Sequence, residues 1–190
     1  GAHGPVPNLA RDDDVIRIRE RREPAGLRQG VYEPELGRPR DAPWLDDGTA
    51  DWFWAEAERY DVPVMVFAPF AVAKIGEIAE RHPRLRLIVD HMGLNVQWKG
   101  KALGPGVDRL LKFARFKNVA VKASCLPCYV DEPYPFPTLH PQIRRVVDCF
   151  GPQRVFWGTD LSQLTCTYRQ AVTLFTEELD YLSATDKELI

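Results

Sequence analysis

Leu87-Ile88-Val89-Asp90-His91 and Val155-Phe156-Trp157-Gly158-Thr159-Asp160 decide the reading of this chain. Each is a short apolar run rich in β-formers, and each ends on a side chain able to do chemistry. A buried strand that delivers a histidine or an aspartate at its carboxyl end, just before a glycine-containing loop, is how a parallel α/β enzyme builds its active site.

Working outward, the same unit recurs. Val64-Met65-Val66-Phe67 is a further apolar run, and Val72, Ile75 and Ala79 follow at helical spacing until Arg81-His82-Pro83 stops the pattern. After the strand at Leu85 to Val89, Val107, Leu110, Leu111 and Ala114 mark a helix with one buried face. Asn118 to Ala123 reads as the next strand, and Ile143, Val146, Val147 and Phe150 repeat the helical stripe before Gly151-Pro152 ends it. A strand from Arg154 to Trp157 comes next, then the longest helix, with Tyr168, Val172, Phe175, Leu179 and Leu182 on one face and its end near Ser183. Upstream, Ala25 to Val31 reads as a strand, Val15 to Arg22 as a charged helix, and a helix carrying Phe53, Ala57 and Tyr60 follows the proline- and charge-rich loop Glu33 to Asp47. Strands alternating with helices, each strand apolar enough to be covered on both sides, imply a parallel sheet with right-handed crossovers. An open doubly wound sheet and a (β/α)8 barrel both satisfy this.

Composition narrows the class. At 190 residues and 21.7 kDa the chain is expected to be a single domain spanning residues 1–190, with a sizeable core. A formal net charge of -2 gives no electrostatic case for nucleic acid. No apolar run approaches the roughly 20 residues needed to span a bilayer, so neither a membrane nor nucleic acid is expected as partner, and the cytoplasm is the simplest address. A small-molecule substrate is the expected partner, with a homo-oligomer left open.

Of the four cysteines, Cys125 and Cys128 form one Cys-x-x-Cys. No second close pair completes a zinc site, and a redox motif should open a helix, whereas this one runs into the proline-rich stretch Pro127 to Pro137. Free thiols in a reducing compartment are the expectation. Gly100 to Gly106, GKALGPG, lacks the ending of a phosphate cradle and reads as a flexible loop, so nucleotide binding is set aside.

Four segments in sequence carry a resemblance: Pro63 to Ala68, Leu87 to Gly93, Asn118 to Ser124 and Trp157 to Asp160. Together they make the stretch from about Val15 to Ile190 resemble the amidohydrolase-related family of (β/α)8 barrels, which includes lactonases and metal-dependent decarboxylases. The resemblance implies that Val64 opens strand 5, Leu87 strand 6, Asn118 strand 7 and Arg154 strand 8. Strands 1 to 3 would then be largely missing, and the family's strand 1 His-x-His has no counterpart among His3, His82, His91 and His140. On that basis the fold is a partial barrel lacking its first strands, and the chain reads as the carboxyl-terminal portion of one. The close at Thr185 to Ile190, a helix start with no helix after it, points the same way. Open strand edges in such a partial barrel must be paired or covered, or they invite aggregation.

The resemblance also implies roles. His91 would be the strand 6 histidine that polarises a carbonyl or assists proton transfer, a task suited to a group titrating near neutrality. Taken alone, it also reads as a strand-end histidine bonded to backbone. Asp160 would be the strand 8 aspartate, which takes a proton from the attacking water or, if a metal is bound, ligates it; its plainer reading is a helix N-cap. Arg28 resembles the strand 4 arginine near the pocket, where a guanidinium fork matches a carboxylate or oxyanion, and it reads equally as a surface ion-pair partner. Lys122 shares strand parity with Ser124, so both point to one side of the sheet and Lys122 joins the substrate-binding candidates. Trp98, in the loop after His91, is a candidate pocket wall, whereas Trp52 and Trp54 read as helix packing.

One departure matters. Metal-using relatives carry a histidine at or next to the position of Phe67. The cofactor expectation is accordingly either none or a single divalent metal such as zinc. The expected function is hydrolysis of a small acidic or lactone-like molecule, with a metal-dependent decarboxylase and an inactive or non-catalytic remnant as alternatives.

Overall fold

Four short strands form one parallel sheet in the order in which they occur along the chain: β1 (Val64–Val66), β2 (Leu87–Val89), β3 (Val119–Ala123) and β4 (Val155–Trp157). The computed structural model describes residues 45, 47–69 and 71–190, which lie in the compact unit Pro43–Ile190. The strand and helix read at 25–31 and 15–22 lie outside the described residues, as does Arg28. Sequential order, with no reversal among the described strands, is that of a barrel wall. A doubly wound sheet reverses its strand order at a switch point, whereas a barrel wall adds each strand beside the last. The fold is α/β, with four consecutive strands of a (β/α)8 barrel.

Register shows how these residues build it. Val64 pairs with Leu87 and Leu87 with Val119, while Val66, Val89, Val121 and Val155 form a second row. All of these side chains are buried. Both rows face the helices, and each fully buried Val or Leu contributes on the order of 1.5–3 kcal/mol relative to exposure. The opposite face carries Met65, Ile88, Ala120, Lys122 and Phe156, of which Met65 and Phe156 are exposed. Apolar runs alone implied cover on both faces; among the described residues only the helix-facing side is closed.

Helices α1 (Asp51–Arg59), α2 (Val72–Arg81), α3 (Leu103–Leu111) and α4 (Leu139–Phe150) follow the periodicity. α2 buries Val72, Ile75 and Ala79, and α4 buries Ile143, Val146, Val147 and Phe150. In α1 the packing residue is Trp54; Trp52, expected to pack as well, is half exposed.

Three expectations are corrected. GKALGPG is not a flexible loop: Gly100–Ala102 is a 3-10 turn leading directly into α3. Gly106 lies inside that helix because a Cβ there would run into the side chain of Leu94. The last long helix is broken. α5 covers Tyr168–Thr173 and passes into a π turn at Leu174–Glu178, where the Leu179 amide donates to the Leu174 carbonyl. Five-residue spacing between Leu174 and Leu179 puts them on different faces of an α-helix; the wider turn buries both. Finally, Thr185 to Ile190 does not lack its helix. α6 (Ala184–Leu189) is present, capped by Ser183, whose hydroxyl accepts from the Asp186 amide while Asp186 accepts from the Ser183 amide.

Candidate active site

Both chemical residues that close the two decisive runs stand at the carboxyl end of the sheet. His91 is the second residue past β2, and Asp160 the third past β4. Each has a left-handed backbone, φ 49° and ψ 38° at His91 and φ 53° and ψ 70° at Asp160. For a residue with a Cβ such a conformation costs on the order of 1–3 kcal/mol and persists only where the surroundings impose it. Around His91, the Asp90 carboxylate accepts its amide at 3.1 Å, and its carbonyl accepts the Leu94 amide at 3.0 Å. Around Asp160, the Cys125 amide donates to the Thr159 carbonyl at 3.2 Å, tying the end of β3 to the end of β4.

Side chains from four strand ends converge there. His91 Nε2 lies 3.4 Å from Asp160 Oδ2 and 3.4 Å from Asp90 Oδ2. On the other edge of the ring, His91 Nδ1 and Ser124 Oγ are 2.7 Å apart. Lys122 Nζ reaches Asp90 Oδ1 at 3.4 Å, so a cation balances one of the two carboxylates. Phe67 meets the imidazole edge-on, its centroid 5.3 Å away. His91, Asp90 and Asp160 are all largely shielded from solvent.

The His91 ring bonds a side chain, Ser124, rather than backbone. Asp160 does not cap the turn that follows it: its side chain makes no cap bond, and Oδ1 accepts the Ser162 hydroxyl at 2.8 Å. The structure thus brings His91, Asp160 and Lys122 together. Trp98 instead packs on α3, with the Arg109 guanidinium 4.4 Å above its ring.

The amidohydrolase family profile matches residues 7–190. The chain belongs to the amidohydrolase family. A curated relative, the L-fucono-1,5-lactonase of Burkholderia ambifaria, is 31% identical over 162 residues, covering 82% of this chain and 49% of its own. The chain therefore spans about half the length of that relative. Among solved structures, a Burkholderia multivorans amidohydrolase with bound zinc superposes with a TM-score of 0.69 at 21% identity, over 97% of this chain and 66% of that one. The 2,6-dihydroxybenzoate decarboxylase from Rhizobium gives 0.50 at 14% identity, over 85% of this chain and 57% of its own. These likenesses show the barrel fold.

The described residues of this amidohydrolase chain do not by themselves fit a metal. Among the described residues no group of three or more His, Cys, Asp or Glu side chains is arranged to hold an ion. The position beside the imidazole where a strand 5 donor is expected is filled by the Phe67 ring.

Asp90 and Ser124 went unassigned in the sequence although both adjoin assigned residues. Asp90 sits inside the decisive run, and Ser124 shares parity with Lys122; what was missing is the distance across strands. Below them, Cys125 and Cys128 are buried free thiols with sulfurs 2.8 Å apart, on a 3-10 turn at Leu126–Tyr129. The hydrogen bond to Cys128 and burial push the Cys125 thiol well above its ordinary range. Burial does the same to the Tyr129 phenol, which donates to the Leu94 carbonyl at 3.2 Å.

Proposed function

We propose that this chain carries the hydrolytic face of an amidohydrolase that opens a small, acidic or lactone-like ester with an activated water. The observation that carries the reading is the 3.4 Å approach of His91 Nε2 to Asp160 Oδ2 at one rim of the sheet. Asp160 accepts a proton from water as its oxygen attacks the carbonyl carbon. His91 donates a hydrogen bond to the carbonyl oxygen as negative charge develops there. At 3.4 Å the Nε2 contacts are longer than a well-made N–H···O bond, which leaves the proton available to a substrate oxygen. Collapse of the tetrahedral species breaks the ester C–O bond, and the proton held by Asp160 goes to the leaving oxygen.

Charge on the substrate is met by cations. Lys122 offsets Asp90 and adds positive potential at the rim, and Arg28 is assigned to anchor a carboxylate or oxyanion by its resemblance to the family's strand 4 arginine. Similarity to a lactonase favours a lactone as the ester.

The test is hydrolysis of sugar 1,5-lactones, followed by proton release. Lactone opening is expected, with His91→Asn and Asp160→Asn each lowering kcat/KM by roughly 10²- to 10⁴-fold. Unchanged turnover in both variants, or carbon dioxide release from an aromatic acid in place of lactone opening, would overturn the proposal.

A further inference from the structure

We infer that Ser124 is a positioning residue for His91: its hydroxyl holds the neutral imidazole as the Nε2–H tautomer and aims that proton into the gap between Asp90 and Asp160. The inference deepens the function proposed above, since it concerns how the carbonyl-polarising group is set.

Three observations carry it. Ser124 is fully buried, and its Oγ lies 2.7 Å from His91 Nδ1. A buried hydroxyl with a single short contact is oriented by that contact. On the other side of the ring, both groups near Nε2 are carboxylate oxygens, at 3.4 Å each. An ionised carboxylate only accepts hydrogen bonds. If the ring proton sat on Nδ1, the Nε2 lone pair would face two acceptors with nothing between them. Placing the proton on Nε2 removes that repulsion and leaves Nδ1 as an acceptor, and the Ser124 hydroxyl is the donor beside it.

The backbone makes the arrangement dependent on Ser124. His91 has a left-handed conformation just outside β2, and Phe67 meets the ring in a T-shaped contact without a hydrogen bond. The hydroxyl is the contact that fixes ring rotation about the Cβ–Cγ bond. Ser124 is itself anchored, because the next residue, Cys125, donates its amide to Thr159. A hydroxyl also suits the task since it can accept from Nδ1–H once the ring takes a second proton. The bond therefore survives proton uptake.

The test is a histidine-ring nitrogen spectrum of the 15N-labelled protein, recorded where imidazoles are neutral, with His91 assigned by its loss in His91→Asn. His91 is expected to show a protonated, pyrrole-type Nε2 and an unprotonated, pyridine-type Nδ1. Ser124→Ala is expected to replace that pattern by an average of both tautomers. His140 serves as an internal control for folding, since its Nε2 lies 2.7 Å from the Pro135 carbonyl, which can only accept. Its signals should not move. A pyrrole-type Nδ1 at His91 in the unsubstituted protein overturns the inference whether or not the alanine variant folds. An unchanged His91 pattern in a folded Ser124→Ala does so too. Because the readout needs no substrate, failure to open a lactone leaves this result intact, and the reverse also holds.

Discussion

The stem of Lys122 crosses over Gly158 on the neighbouring strand end: a Cβ at Gly158 would lie 2.7 Å from Lys122 Cε and 3.2 Å from Ser124 Cβ. The missing side chain is what lets lysine reach Asp90, and it leaves Ser124 its place against His91. Gly158→Ala is therefore expected to displace Lys122 and weaken catalysis about tenfold or more, with overpacking costing on the order of 1–3 kcal/mol of stability. Turnover measured beside a thermal melt checks this. Full activity in a folded Gly158→Ala would show that the lysine's path over the glycine has no consequence.

Reactivity of the thiols should follow their surroundings. Cys149 is exposed, whereas Cys125 and Cys128 are buried, and burial raises the Cys166 thiol above its ordinary range. Thiolate is the reactive species, so a raised thiol reacts slowly. Titration with an alkylating reagent is expected to modify Cys149 first, Cys166 more slowly, and Cys125 and Cys128 only after denaturation. Mass mapping of the labelled peptides reads the order directly, and early labelling of Cys125 would contradict it.

The same burial sets an alkaline limit. Cys125 and Tyr129 lose their protons at 9.0 and 10.0 in an unperturbed setting, and both are raised in the fold. Below these values each group is protonated in both states and adds no pH dependence to folding. Above them the unfolded chain ionises while the folded chain does not, so stability falls from about pH 9 upward. Each group contributes a slope approaching ~1.4 kcal/mol per pH unit. Denaturant midpoints measured from pH 8 to 11 should decline, and Cys125→Ala should shift the onset toward the tyrosine range. A flat profile would count against the buried placement of both groups.

Much of this was readable from residue order because parallel strands advertise themselves. Apolar β-branched runs at 64–66, 87–89, 119–123 and 155–157 can hardly be anything else when helical stripes separate them. Stripes such as Ile143, Val146, Val147 and Phe150 come from one regular helix and so report its period faithfully. Where the backbone changes its own period, as at Leu174–Glu178, an apolar stripe read at 3.6 residues per turn joins two elements into one. Gly106 reads as part of a loop because the sequence does not display Leu94, the neighbour that demands a missing Cβ there. The site was half legible for a similar reason. His91 and Asp160 each end a strand, a local signal, whereas the roles of Asp90 and Ser124 exist only through contacts made across β2, β3 and β4.

Arg154 is a stability anchor of a kind that charge counting misses. Its guanidinium donates to four carbonyls: Phe150 at 2.9 Å, Phe116 at 2.8 Å, Val119 at 3.0 Å and Ala114 at 3.2 Å. These join the end of α4, the turn before β3 and the strand itself to the entry of β4. Arg154→Met keeps much of the stem but takes a donor from each of four carbonyls, of which Phe116 retains the Val119 amide, an expected loss of about 3 kcal/mol. Arg59→Met, which removes an exposed ion pair with Glu56 and a cation–π contact with the Tyr60 ring, should stay within about 1 kcal/mol. Equal losses in the two denaturation curves would refute the distinction.

The edge of β4 is held by a helix that depends on its cap. Trp157 donates its amide to the Ile190 carbonyl at 2.8 Å, and Ile190 directly follows α6. At the other end of α6, Ser183 and Asp186 exchange their hydrogen bonds, which hold the Asp186 carboxyl below its usual range. Removing the cap with Ser183→Ala costs roughly 1 kcal/mol, a large fraction of what a six-residue helix contributes. Fraying of α6 then releases the Ile190 carbonyl, so the Trp157 amide should exchange with solvent several-fold faster in the variant. Amides inside β3, paired on both sides, should keep their rates. The depressed Asp186 value gives the same effect a pH signature: its stabilisation is present above 3.8, the ordinary aspartate value, and is lost as pH falls through the lower folded value. Hydrogen exchange that leaves Trp157 unchanged in Ser183→Ala would show that the edge is protected by something other than the capped helix.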